Sequence, residues 1–198
     1  MKGMICMIIC VYGASSVKTN ENYVRKTHNL GLKLARKGHG LVYGGGANGL
    51  MGAIARGFTE GGGRIIGVSP SFFEVDGVLY DKCTELILTD TMRERKKIME
   101  DNADAFIVTP GGVGTYDEFF EILTLKQLGR HKKPIAVYNI DGYFDELEML
   151  MKKALKENLL SEKSMDLFKV FDDEDELIKY IETTEHDLVK IGDVKFIK

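Results

Sequence analysis

Short apolar segments recur along the chain and alternate with longer segments in which apolar positions return every three or four residues. The apolar segments have the length of strands and lie at 4–11, 40–43, 64–68, 86–88, 105–109 and 134–138. Their near-continuous hydrophobicity is typical of parallel strands that are covered on both faces. The amphipathic segments predict helices at 21–38, 48–60, 91–103, 115–128, 143–157 and 173–182.

This alternation predicts an α/β fold, a Rossmann-like open parallel sheet with helices on both faces. No linker or internal repeat divides the chain, and its length suits a single domain over residues 1–198. Two segments break the pattern. Residues 70–83 lack periodicity and predict a loop, whereas residues 185–198 alternate weakly and predict an edge strand or an arm that embraces a partner subunit.

The charge balance narrows the class of partner. The chain carries 27 basic and 30 acidic residues, a net charge of −3. This balance argues against a generic nucleic-acid or membrane surface, so we expect neither partner. The first apolar run is too short to span a membrane and leads directly into a turn. It therefore predicts a buried strand in place of a signal segment, and a cytoplasmic protein.

The three cysteines, Cys6, Cys10 and Cys83, are odd in number, and two of them lie in the first apolar run. This pattern predicts buried free thiols in a reducing compartment. No pair of cysteines or cluster of histidines has the spacing of a metal site, so we expect no metal.

Three glycine-rich turns follow predicted strands, and the carboxyl ends of parallel strands meet at one edge of a sheet. Glycines let the backbone approach a ligand closely, and the helix after the third turn points unpaired N–H groups at it. We therefore predict one site for a phosphate-bearing ligand. None of the turns matches a P-loop or a dinucleotide fingerprint. The turns are Gly13-Ala14-Ser15-Ser16, Gly44-Gly45-Gly46-Ala47-Asn48-Gly49-Leu50-Met51-Gly52 and Pro110-Gly111-Gly112-Val113-Gly114-Thr115.

Two charged residues stand out near the third turn. Glu118 lies three residues after Thr115, and this spacing fits a capping box as well as a catalytic carboxylate. Arg95 falls on the apolar stripe of its helix, beside Met92 and Met99. Arginine is rarely buried without an anion, so Arg95 either contacts a ligand, pairs with a structural carboxylate or extends to solvent.

These motifs together resemble those of the LONELY GUY (LOG) family. The chain has Met92-Arg93-Glu94-Arg95-Lys96, followed by a PGGxGTxxE motif from Pro110 to Glu118. The Gly44–Gly46 turn and the Asn139–Phe144 segment resemble the family's further motifs, and the resemblance covers roughly residues 4–160. Members are cytokinin riboside 5′-monophosphate phosphoribohydrolases, although the family is often labelled lysine decarboxylase.

The resemblance implies hydrolysis of the N-glycosidic bond of a nucleoside 5′-monophosphate, with AMP or an N6-modified AMP as substrate. It places the catalytic pair on Arg95 and Glu118, requires no metal or other cofactor, and implies a homodimer. The full set of predicted substrate contacts is Gly13, Ser15, Gly44, Gly45, Gly46, Met92, Arg95, Lys96, Pro110, Gly111, Gly112, Val113, Gly114, Thr115, Glu118 and Thr124.

Two other functions remain open. A non-catalytic nucleotide carrier would use the same glycine turns and release no base. A nucleosidase of broad specificity would cleave many nucleoside 5′-monophosphates in salvage.

Overall fold

The computed structural model describes residues 6–75, 77–184 and 187–189. Strands and helices alternate along these ranges. The strands are β1 (Ile8–Tyr12), β2 (Gly40–Tyr43), β3 (Ile65–Pro70), β4 (Glu85–Thr89), β5 (Ala105–Val108), β6 (Ile135–Tyr138) and β7 (Lys169–Phe171). The helices are α1 (Glu21–Arg36), α2 (Gly49–Glu60), α3 (Met92–Asn102), α4 (Val113–Gln127), α5 (Asp145–Lys156), α6 (Glu162–Met165) and α7 (Glu174–Thr183). Short 3₁₀ turns, Ser71–Phe73 and Ile140–Gly142, follow β3 and β6.

These strands form one parallel sheet in the order β4-β3-β2-β1-β5-β6-β7. The register places Cys10 of β1 beside Val42 of β2 on one side and Phe106 of β5 on the other. The chain builds outwards from β1 to β4, then continues from β5 to β7 on the opposite side. Open α/β sheets bind ligands where the strand order reverses in this way, beyond the carboxyl ends of the strands.

Helices cover both faces of the sheet, which confirms the predicted fold class. Ile9 and Val11 belong to an apolar cluster that also holds residues of α1, α2 and α7. Cys10 and Tyr12 belong to a second cluster, with residues of α3, α4 and α5. Side chains alternate between the faces of a strand, so burial on both faces accounts for the continuous apolar runs in the sequence.

The predicted elements agree with the structure to within a few residues, apart from the shortest ones. The sequence does not predict β7, which has three residues, or the single turn of α6. Elements of this length contain too few residues for a period to be visible. The predicted loop at 70–83 contains the Ser71–Phe73 turn. Of the predicted edge strand or arm at 185–198, residues 187–189 form neither helix nor strand, and the others lie outside the described residues.

Residues 6 and 7 of the predicted first strand precede β1 in the structure, residues 4 and 5 lie outside the described residues, and the later start changes the surroundings of one cysteine. Pairing begins at Ile8, which lies beside Gly40 of β2. Cys6 precedes the strand and is exposed, so the prediction that it is buried is wrong. Cys10 is buried, Cys83 is half-buried, and all three thiols are free. Across the described ranges, no helix combines the length and the apolar character needed to cross a membrane.

A lysine lies within the apolar face of α4. The stripe formed by Phe119, Ile122 and Leu123 continues into Lys126, which is 1% exposed. Among the described residues no group accepts a hydrogen bond from its Nζ. Burial without an anion disfavours the ammonium form and lowers the pKa of Lys126 to about 8.

Replacing Lys126 with methionine should stabilise the fold at neutral pH, because the variant buries no charge. The pKa of Lys126 lies below its ordinary value of 10.5, so the unfolded chain binds more protons between the two values. The free energy of unfolding of the wild type should therefore rise by roughly 3 kcal/mol from about pH 8 to 10.5, and that of Lys126→Met should lack this rise.

Chemical denaturation of both proteins across this pH range measures the difference. Lys97→Met is the control, since Lys97 lies on the exposed side of α3 in a surface pair with Asp101 and should contribute little. If the wild type and Lys126→Met have the same pH dependence, the ammonium is solvated in the folded state and the interpretation is wrong.

Candidate active site

A cleft of about 630 Å³ opens at the carboxyl edge of the sheet, beyond β1, β2, β3 and β5. Its volume lies within the usual range for a small-molecule site. The walls are formed by the turns after β1 and β2, the loop after β3, the first turn of α3 and the start of α4. The lining residues are Gly13, Ala14, Ser15, Ser16, Gly44, Gly46, Asn48, Met51, Ser69, Phe73, Val78, Leu79, Met92, Arg95, Gly112, Val113, Gly114, Thr115, Asp117 and Glu118.

The start of α4 lines this cleft and has no side-chain cap. Gly112 occupies the N-cap position, where serine or aspartate would normally accept a hydrogen bond. In the described part of the chain, no acceptor meets the N–H groups of Val113, Gly114 or Thr115. These donors and the positive end of the helix dipole form a binding site for an anion.

The start of α2 lines the same cleft but offers fewer donors. The N–H groups of Leu50 and Met51 both donate to the carbonyl oxygen of Ala14, at 2.8 and 3.1 Å. The structure thus brings the three predicted glycine turns to one cleft, where the first three N–H groups of α4 remain available to a ligand.

A buried ion pair lies beside the anion site. The Nη1 atom of Arg95 donates to Oε1 of Glu118 at 2.7 Å, and the side chains are 9% and 10% exposed. The Nε atom of Arg95 also donates to the carbonyl oxygen of Val68, in β3, at 3.1 Å. Burial raises the pKa of Glu118, although the guanidinium of Arg95 opposes this shift.

Glu118 does not take part in a capping box, so that alternative is wrong. The helix begins at Val113, two residues before Thr115, and the carboxylate of Glu118 bonds to Arg95. A capping box is present one helix earlier. There, the Thr91 hydroxyl accepts from the Glu94 N–H at 3.2 Å, and the Glu94 carboxylate accepts from the Thr91 N–H at 3.1 Å.

Gly44 leaves room for the Arg95 guanidinium. A Cβ atom at this position would lie 1.9 Å from Nη2 of Arg95 and 2.6 Å from Cε of Met51. The neighbouring Gly45 has a φ of 74°, a left-handed conformation that favours glycine. Glycine is therefore favoured at both positions of the second turn, at Gly44 because the Arg95 guanidinium needs the space and at Gly45 because of its backbone conformation.

The predicted substrate contacts do not all line the cleft. Gly45, Pro110 and Gly111 belong to the turns but are not among the lining residues. Lys96 and Thr124 line a separate groove on the outer side of α3 and α4. The ammonium of Lys96 is already engaged, since it pairs with Asp117 at 2.9 Å and Glu121 at 2.5 Å.

Several lining residues are not predicted from the sequence. Phe73, Val78 and Leu79 come from the segment that predicts only a loop. This segment is fastened to the second glycine turn, because the Ala47 N–H donates to Val78 and the Tyr80 N–H donates to Gly45, each at 2.9 Å. Ser69 also lines the cleft, and neither its spacing nor its chemistry marks it in the sequence, whereas Asn48, Met51 and Asp117 belong to the predicted glycine-rich motifs.

Comparisons with known proteins agree with this arrangement. A family model described as "Possible lysine decarboxylase" matches residues 51–181. Cytokinin riboside 5'-monophosphate phosphoribohydrolase LOG2 of Arabidopsis thaliana is 38% identical over 153 residues, which are 77% of this chain and 72% of that protein. The chain belongs to the LOG family. A second relative is cytokinin riboside 5'-monophosphate phosphoribohydrolase LOG of Oryza sativa subsp. japonica, which is 39% identical over 154 residues. These residues are 78% of the LOG-family chain described here and 64% of the rice protein.

A solved structure shares the fold of this LOG-family protein. The molybdenum cofactor carrier protein of Chlamydomonas reinhardtii superposes with a TM-score of 0.70 at 25% identity. The match covers 89% of this chain and 96% of the carrier protein. The LOG-family sheet therefore also occurs in a protein that is named as a carrier.

In the LOG-family chain, Gly44→Ala should separate Arg95 from Glu118, because the added methyl group occupies the position of Nη2. A crystal structure of the variant measures the Nη1–Oε1 distance, which is 2.7 Å in the wild type. Gly114→Ala is the matched control, since no atom lies within 4 Å of its added Cβ and the ion pair should stay intact. An unchanged pair in Gly44→Ala would contradict the steric role of this glycine.

Proposed function

We propose that this protein hydrolyses the N-glycosidic bond of AMP, or of an N6-modified AMP, to the free base and ribose 5-phosphate. The feature that supports this most directly is the buried carboxylate of Glu118, one turn beyond the uncapped start of α4 in the same cleft. The LOG2 and LOG relatives, which are named as phosphoribohydrolases of cytokinin riboside 5'-monophosphates, support the same reaction.

The 5′-phosphate of the substrate binds the N–H groups of Val113, Gly114 and Thr115. Each residue of an α-helix advances about 1.5 Å, so Glu118 lies roughly 4.5–7.5 Å along the axis from these donors. This separation is comparable with the span of a ribose unit between its phosphate and its anomeric carbon. A nucleotide that is held by its phosphate therefore presents C1′ to the carboxylate, and the fixed geometry removes much of the entropic barrier.

Glu118 stabilises the transition state electrostatically. Cleavage of the bond between C1′ and the purine nitrogen builds positive charge on the ribose ring, and a nearby carboxylate lowers the energy of that charge. The same group orients the attacking water and accepts its proton. The water oxygen becomes the hydroxyl of ribose 5-phosphate, and the base departs with the bonding electrons and takes up a proton.

Arg95 holds Glu118 in place and keeps it ionised. Its guanidinium is fixed by Val68 and confined by Gly44, so the carboxylate has one well-defined position. A cation 2.7 Å away also counteracts the effect of burial on the pKa of Glu118. Arg95 remains beside the cleft, where its other N–H groups bind phosphate or ribose.

The cleft does not fit the lysine decarboxylase label of the family model. That chemistry uses pyridoxal phosphate bound to a lysine through a Schiff base. Among the described residues that line the cleft, none is a lysine. No step of the proposed reaction involves this cofactor.

A carrier function is the second candidate, because the chain shares its fold with the molybdenum cofactor carrier protein. A carrier would bind a phosphate-bearing ligand at α4 without breaking a bond. A nucleosidase of broad specificity differs from the first proposal only in how it treats the base. Product analysis separates these alternatives.

We also propose that the protein is a homodimer in the cytoplasm. Two apolar side chains of α4, Val113 and Phe120, are 85% and 38% exposed beside the outer groove, which favours a protein partner. Free thiols at Cys6, Cys10 and Cys83 suit a reducing compartment. Light scattering should give twice the mass of one chain, and a monomer with full activity would contradict the dimer.

Wild-type protein incubated with AMP or N6-isopentenyl AMP should release free base, which chromatography detects. Glu118→Gln preserves the shape of the side chain but removes the negative charge, so turnover should fall by about 100-fold or more. Its melting temperature and ribose 5-phosphate affinity show that the variant is folded. Wild-type turnover in Glu118→Gln would eliminate the proposed mechanism.

A panel with GMP, CMP, UMP and the unphosphorylated nucleosides identifies the base preference and the need for phosphate.

The activity should decline as the pH falls through the raised pKa of Glu118, because the reaction needs the ionised carboxylate. Arg95→Gln removes the cation that lowers this pKa, so the acidic limb of kcat should move to higher pH. The pH profiles of residual activity in the two proteins provide the measurement. An acidic limb at the same pH in both would show that a different group controls it.

A further inference from the structure

The peptide between Gly111 and Gly112 immediately precedes α4. Neither residue has a side chain, so local sterics allow this peptide to rotate more freely than others in the turn. Its carbonyl oxygen, on Gly111, accepts a hydrogen bond from the hydroxyl of Tyr143 at 2.5 Å. Tyr143 follows the 3₁₀ turn after β6 and is not among the residues that line the cleft.

The orientation of this carbonyl also determines the direction of one N–H group. In a planar trans peptide the C=O and the next N–H point in opposite directions. Because the Gly111 carbonyl points to Tyr143, the Gly112 N–H points away from Tyr143, and Gly112 lines the cleft. Among the described residues no acceptor meets this N–H, so it remains available beside the donors of Val113, Gly114 and Thr115.

The Tyr143 hydroxyl is itself held in position. Its ring packs edge-on against Phe144, with centroids 5.0 Å apart, and against Tyr23, at 5.9 Å. The hydroxyl of Tyr116, on α4, donates to that of Tyr143 at 3.3 Å. Because the Tyr143 oxygen accepts this bond, its own proton is left for the carbonyl of Gly111.

We propose that Tyr143 is a positioning residue, which fixes the Gly111–Gly112 peptide so that the Gly112 N–H helps to bind the 5′-phosphate of the substrate. The identity of the anion rests on the proposed function. Tyr143 touches neither the ribose nor the base, so its effect is on the affinity for the phosphate and not on the chemical step.

Tyr143→Phe removes the hydroxyl and keeps the ring contacts. The KM for AMP should rise by about tenfold, as expected for a weakened hydrogen bond to a charged group, while kcat changes by less than about twofold. Inhibition by ribose 5-phosphate and by inorganic phosphate should weaken by the same factor. If Tyr143 supported only the fold, its substitution would lower the melting temperature but would not raise KM while leaving kcat almost unchanged.

Two variants serve as controls. Tyr116→Phe removes the hydroxyl that donates to Tyr143 but leaves the hydrogen bond from Tyr143 to Gly111, so the KM should rise by no more than about threefold. Tyr23→Phe retains the edge-on contact with the Tyr143 ring and should behave like the wild type. Thermal unfolding of each variant confirms that the kinetics are measured on folded protein.

Calorimetry with ribose 5-phosphate separates this inference from the proposed reaction, because binding needs no turnover. If the wild type binds ribose 5-phosphate but releases no base from AMP, the proposed hydrolysis is wrong. A tenfold weaker affinity in Tyr143→Phe would then still support the positioning role. Equal affinities in Tyr143→Phe and the wild type would overturn it, as would a loss confined to kcat. Failure of the wild type to bind ribose 5-phosphate would overturn both.

Discussion

The ion pair between Arg95 and Glu118 is the interaction on which the rest of the site depends. Two charges withdrawn from water carry a desolvation penalty of several kcal/mol each, and removal of one partner from such a pair typically costs about 3–5 kcal/mol. Here the pair connects α3 to α4, and the Val68 carbonyl anchors it to β3. The local environment excludes most water, so the carboxylate acts more strongly on a developing positive charge than it would in solution.

The glycine turns contribute to this site in three different ways. Gly44 leaves the space that the Arg95 guanidinium fills. Gly112 replaces a capping side chain at the start of α4, and the absence of a cap keeps the N–H groups of the first turn available. Gly13 packs closely on the Thr109 hydroxyl, since a Cβ atom there would lie 2.2 Å from its Oγ1. Steric room and close packing thus require glycine at Gly44 and Gly13, whereas at Gly112 the lack of a capping side chain leaves the backbone donors available.

The fold was largely predictable from the sequence because its signals are local. An apolar run such as 105–109 is buried on both faces of a sheet, and burial on both faces leaves a continuous pattern. Helices of three or more turns repeat their apolar face often enough to be recognised, whereas the single turn of α6 does not. The short strand β7 depends on pairing with β6, and its own residues carry no comparable pattern.

The site was only partly predictable, for a physical reason. The sequence alone determined that glycine turns follow the strands, that a helix begins near Thr115, and that Arg95 interrupts an apolar stripe, because backbone freedom and periodicity are properties of neighbouring residues. Only the tertiary structure decided that Glu118 pairs with Arg95 in place of capping its own helix, and that the Leu50 and Met51 N–H groups are already bonded to Ala14. Those outcomes depend on distances between segments far apart in the chain. These distances are set by how α3 and α4 pack on the same face of the sheet and by how the turn after β1 meets the start of α2, and not by any local spacing.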